Sequence, residues 1–141
     1  MIALALILLA GEPRLVETGV GRFAHYADVA SIERLGDQAR MRALQVAETG
    51  FSVSEVVYVG GWSWWAFDCA AETADRLDFA SLRADGVEGP ATPDNAPPYP
   101  AAPGGDAAEL LALACAAPPG PVETLTLEQA VRRGQAALTD E

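Results

Sequence analysis

Two cysteines, Cys69 and Cys115, three tryptophans at 62, 64 and 65, and a single histidine, His25, are where chemistry can first be sought in this 141-residue chain. An even cysteine count in an exported chain normally means a disulfide, and with two cysteines only one pairing exists. The other reading is two buried free thiols in a cytosolic protein. Structural zinc wants four ligands at short spacings, and two distant cysteines with one histidine do not supply them. His25 falls in a strand-like stretch with no serine, cysteine or paired carboxylate nearby, which makes it an ordinary strand residue rather than a general base. The close acids Asp75 and Asp78, or Asp68 and Glu72, have the types needed for acid and base work. Twenty acids in 141 residues make such pairs by chance, however, and solvated charge is the plainer reading. Arg40 and Arg42, two apart on a strand, suit an anion site or, more simply, a solvated face. No nucleophile elbow, EF-hand loop or glycine-rich phosphate loop is present. The expectation is no cofactor, no metal and no catalytic residue, hence no enzyme.

Charge narrows the partners. Nine basic against 20 acidic residues leave a net charge of -11, the wrong sign for tracking a phosphate backbone, so no nucleic acid is expected. All nine cations are arginine, which removes the Schiff-base, P-loop and general-base roles of lysine. Residues 1–10 are an unbroken apolar run, too short to span a bilayer and of the length of a secretory signal core. The expectation is a signal peptide over 1–11 and a mature chain without a transmembrane segment, in the periplasm or at the cell surface. A buried N-terminal strand is the other reading.

The elements that must position these residues follow from periodicity. Arg14 to Val20 and Arg22 to Tyr26 read as short strands, Tyr26 to Ser31 as a polar corner, and Gly36-Asp37 as a turn. Gln38 to Glu48 reads as a strand in which Leu44 and Val46 fall out of phase with Met41 and Ala43, which predicts a bulge or a twist. Val56 to Cys69 is a long strand with a bulge at Gly60-Gly61. Its alternation puts Trp65, Phe67 and Cys69 on one face and Trp62, Trp64, Ala66 and Asp68 on the other. Arg76 to Arg83 is a further strand. From Asp85 to Gly105 six prolines and four glycines predict an irregular loop. Asp106 then stands as N-cap, with Glu109 at the capping-box position, for a helix over Ala107 to Ala116 that carries Cys115. A disulfide would tie this helix to the Cys69 strand. A second capping box, Thr126 to Gln129, opens a short amphipathic helix through Leu138, docked on the sheet or loosely attached.

Trp62 and Trp64 are the candidate interaction surface. A buried aromatic removes about 150 to 250 Å² from water, so two side by side call for a cover: the tail helix, a second copy or another protein.

The ordered set Leu15-Val16-Glu17, Tyr26-Ala27-Asp28 with Ser31-Ile32, Gly36-Asp37 before the Arg40 strand, Phe67-Asp68-Cys69, Pro103-Gly104-Gly105 and Ala108 to Cys115 resembles the surface-adhesin protein E domain family of bacterial exported proteins. The resemblance covers residues 14 to 115. Glu72 stands where an arginine is usual, Tyr99 where tryptophan is frequent, and the tail from Pro118 is additional. What the resemblance implies is an antiparallel sheet packed by one C-terminal helix, a sheet-to-helix disulfide, and residence in the periplasm or at the cell surface. The expected whole is an α+β fold, with a signal over 1–11, a domain over 12–116 and an extension with a short helix over 117–141. Its expected function is a non-catalytic exported envelope protein of binding or adhesion type, partnered by itself or another protein. A small periplasmic hydrolase using Asp or Glu chemistry is the alternative.

Overall fold

The computed structural model describes residues 11–116 and 122–139; the expected signal over 1–11 therefore falls, but for residue 11, outside the described residues. Strands β1 (Leu15–Val20), β2 (Ala24–Leu35), β3 (Gln38–Val46), β4 (Ser52–Val53), β5 (Val56–Asp68), β6 (Thr73–Arg76), β7 (Asp78–Arg83), β8 (Thr92–Pro93) and β9 (Tyr99–Pro100) precede two helices, α1 (Asp106–Cys115) and α2 (Leu127–Thr139). The strands form one antiparallel sheet in the order β1-β2-β3-β5-β6-β9, with β4 and β7 on the remaining length of β5 and β8 on β7. The fold is thus α+β, a curled antiparallel sheet with two helices. Cys69 and Cys115 are joined, with their Cα atoms 5.7 Å apart, so the end of α1 is tied to the end of β5.

The register of β3 against β5 is unbroken from Gln38–Asp68 to Val46–Gly60. The bulge expected from the phase change in β3 is therefore absent. The phase changes because opposite faces are buried at opposite ends. On one face Ala39, Met41 and Ala43 pack with Phe67, Ala74 and the α1 residues Ala107, Leu110, Leu111 and Ala114. On the other, Leu44 and Val46 pack with Leu15, Tyr26, Trp62 and Leu82 under Leu125 and the α2 residue Ala130. Each helix covers the half of the sheet that the other leaves open.

Three more expectations change. The polar corner at Tyr26 to Ser31 lies inside the continuous strand β2, where the pairing jumps from Asp28–Arg42 to Glu33–Arg40. Polar side chains hold that bulge. The buried Asp28 carboxylate accepts the N–H groups of Arg14 and Ala30, and Ser31 Oγ donates to the Asp28 carbonyl and accepts from Arg42 N–H. The single strand expected over Arg76 to Arg83 is broken at Leu77 into β6 and β7, because the Asp78 carboxylate takes the Trp64 N–H at 2.8 Å in place of a ladder carbonyl. Finally, the N-cap of α1 is Gly105, which has no side chain to cap with; Asp106 is the first helical residue. The bulge at Gly60 is present against β7, where the register shifts between Tyr58 and Gly60.

The tail is docked rather than loose. Leu15 and Leu125 exchange both backbone hydrogen bonds, at 2.9 and 2.7 Å. The second capping box is made in both directions, Thr126 N–H to Gln129 Oε1 at 2.9 Å and Gln129 N–H to Thr126 Oγ1 at 3.1 Å. Small residues on α2 let it lie close to the sheet, Ala130 and Gly134 being buried there.

Candidate functional site

Register decides where each candidate residue goes. Opposite residues share a face, so Trp62 stands with Leu44 and Trp64 with Arg42, while Trp65 stands with Met41 and Arg76 on the face that carries α1. Trp62 is only 3 % exposed, enclosed by the α2-side core, and the Arg42 guanidinium lies 4.3 Å from its ring centre. The proposed surface therefore contracts: Trp62 is covered within the chain by Leu44, Leu82 and the docked tail, and offers nothing to a partner. Trp64 remains half-buried, with the exposed Arg40 guanidinium 5.2 Å from its ring. Arg42 also reaches the Glu88 carboxylate, so of the arginine pair only Arg40 has no acidic partner among the described residues.

Of the four acids singled out by sequence, Asp68 and Asp78 are held by backbone N–H groups. Asp68 accepts the N–H groups of Ala70 and Ala71 in the turn after β5, and these bonds, that of Ala71 foremost, hold its carboxyl below the ordinary aspartate value. Asp78 is bound to Trp64 N–H. Asp94 lies in the same downward direction, first through the Ala96 N–H and then through Arg76. A carboxyl that must donate a proton near neutrality needs its pKa raised, by burial or a like charge; these two move the other way.

The α1 face holds a site that spacing along the chain could not show. α1 runs from the bottom of β2 to the disulfide at the top of β5, and beyond its N-terminus the sheet face is left open as a cleft. Its floor is Ser63 and Gln45, and its sides are His25, Asp106, Trp65, Arg76 and Tyr99. The main hollow has a volume of about 200 Å³. A second, of about 230 Å³, continues from it past Trp65, Arg76 and Tyr99 to Asp75 of β6 and to Asp94 and Pro97 of the proline-rich segment. Short pairs with the sheet, Ala74–Tyr99 and Asp78–Pro93, fix that segment. One face of the Trp65 ring is stacked on buried Phe67, 6.0 Å between centres and 3° between planes. Two side-chain pairs border the hollow: His25 Nε2 with Asp106 Oδ2 at 3.4 Å, and the ion pair of Arg76 Nε with Asp94 Oδ2 at 3.0 Å.

Serine, histidine and aspartate thus line one hollow, which sequence reading missed because His25 and Asp106 lie far apart along the chain. They do not form a nucleophile, base and acid chain. His25 pairs with Gln45 and Ser63 with Ala43, which puts them two strands apart and two residues along. At about 4.8 Å per strand and 3.4 Å per residue their Cα atoms are roughly 12 Å apart, whereas a base must touch its nucleophile. Among the described residues no group of three or more His, Cys, Asp or Glu side chains converges as a metal site would. No helix among them is long and apolar enough to cross a membrane.

Comparison with protein-family models, curated proteins and solved structures finds no match to this chain.

Proposed function

We propose that this protein is a non-catalytic binding module of the cell envelope, exported to the periplasm or the cell surface, of the kind the surface-adhesin protein E resemblance suggests. The observation that carries the reading is the open, aromatic-walled cleft in which His25 is paired with Asp106 and Arg76 with Asp94. A preformed concave site lined by rings and a few polar groups is what ligand binding requires. Acid-base chemistry requires instead a titratable group left free and shifted toward neutrality. The disulfide suits an oxidising compartment. On the opposite face Trp64 with Arg40 is the remaining place for a protein partner, a second copy included.

The test is incubation of the oxidised protein with chromogenic esters, phosphates and glycosides. No nitrophenol release above buffer is expected, and Asp75→Asn and Asp78→Asn should change nothing. Turnover that disappears in either variant would overturn the reading in favour of carboxylate hydrolysis.

A further inference from the structure

The cleft before α1 carries more than its shape. Charge first excludes ligands. Arg76 is neutralised by Asp94 and His25 has Asp106 beside it, so among the described residues the hollow presents no unpaired arginine to an anion. The Asp94 charge is neutralised by Arg76, so Asp94 holds no net attraction for an ammonium group, although its two oxygens keep acceptor positions. A purely apolar ligand would strip water from these four polar side chains and from the buried Ser63 without replacing their hydrogen bonds, which is costly.

What remains is a neutral molecule with a flat C–H face and a rim of hydroxyls. Trp65 is braced on one side by Phe67, and Tyr99 is 44 % exposed, so both rings offer area at little entropic cost. Aromatic faces carry negative charge density and attract the slightly positive C–H groups of a saturated sugar ring. The paired side chains suit the hydroxyls. An arginine bound through Nε keeps its Nη donors, and the aspartate beside it keeps acceptor positions, so one pair can donate to one hydroxyl and accept from its neighbour. On the other side of the hollow the Asp106 carboxylate beside His25 adds further acceptor positions. We infer that the cleft formed by His25, Ser63, Trp65, Arg76, Tyr99 and Asp106 is a binding site for a saccharide, with Trp65 and Tyr99 as the stacking surfaces. This rests on the non-catalytic binding reading and names its ligand class.

The test uses the full oxidised chain and the methyl glycosides of glucose, galactose and N-acetylglucosamine, followed by saturation-transfer NMR and tryptophan quenching. Spermidine and citrate are run beside them as cationic and anionic probes. At least one glycoside is expected to bind with Kd of about 1 mM or tighter. Tyr99→Ala, which removes an exposed ring and leaves the core intact, should weaken it about tenfold or more, and Trp64→Ala on the opposite face should not. Trp65→Leu, checked for an unchanged fold, should act like Tyr99→Ala. If no glycoside binds at that level, or binding ignores Tyr99 and Trp65, the saccharide site is overturned. Tyr99-dependent binding of spermidine or citrate instead would overturn the saccharide class while the binding reading stands. Release of methanol from a glycoside would leave the saccharide class standing and overturn the non-catalytic reading.

Discussion

Gly134 of α2 sits directly on Val46 of β3: a methyl group placed at residue 134 would lie 2.9 Å from Val46 Cγ1 and 3.1 Å from Ala24 Cβ. Glycine inside a helix costs about 1 kcal/mol relative to alanine, so its presence marks a close approach. The tail is held to the sheet by this contact, by Ala130 and by the Leu15–Leu125 bridge. Gly134→Ala should then give back its helix-propensity gain to the clash, whereas Gly134→Leu should undock α2 and lower Tm by several degrees, read by thermal denaturation. Adding Val46→Ala to Gly134→Ala should recover stability; an additive pair would mean that the two residues do not touch.

Removing residues 117 to 141 strips the cover from Leu15, Tyr26 and Val46, all fully buried in the intact chain. A loss of several kcal/mol in urea titration is expected at about 25 cal/mol per Å² of apolar surface uncovered, with a red shift of tryptophan emission as Trp62 meets water. Unchanged emission in a stable truncated chain would contradict the docking.

At the β2 bulge, Ser31 Oγ bridges the Asp28 carbonyl and the Arg42 N–H, each bond being short, at 2.7 and 2.8 Å. Ser31→Ala leaves the half-buried Arg42 amide without that acceptor and should cost about 1–3 kcal/mol, more than an exposed serine substitution does. Denaturant unfolding of the variant reads this directly.

Burial foremost, and then the neighbouring Glu17 carboxylate, push the Tyr26 hydroxyl from 10.0 up to about 12. Because the raised value belongs to the folded state, the stability it represents is complete below pH 10 and is lost as pH rises toward 12. Ultraviolet titration should show one phenol ionising late, together with unfolding. Glu17→Gln should bring that ionisation to lower pH.

Patterns local in the chain were legible in the sequence. Thr126 and Gln129 cap each other because both partners lie within one turn, and the alternation of Trp62, Trp64 and Ala66 against Trp65 and Phe67 holds because β5 keeps a two-residue period through its register with β3. What failed depended on where distant elements dock. Leu44 and Val46 are misphased only until α2 is placed on their face. Asp106 has the type and neighbours of an N-cap, yet the chain turns one residue earlier, at Gly105, and the carboxylate meets His25 instead. Leu77 interrupts a strand because the Asp78 side chain competes for a ladder N–H, which no periodicity records. The cleft was invisible for the same reason: its walls come from β2, β3, β5, β6, β9 and α1, and chain spacing does not report their meeting.

The Cys69–Cys115 bond closes a loop of 46 residues, which on the chain-entropy account restricts the unfolded state by about 4 kcal/mol. Cys115→Ser is accordingly expected to lower stability by about 2–4 kcal/mol and to loosen the α1 wall of the cleft. The central claim joins that bond to the place where the protein works, an oxidising envelope compartment. It is tested most directly by non-reducing peptide mapping of the protein recovered from fractionated native cells. The account predicts the Cys69 and Cys115 peptides linked, in the periplasmic or surface fraction. Two free thiols in a chain recovered from the cytosol would contradict it.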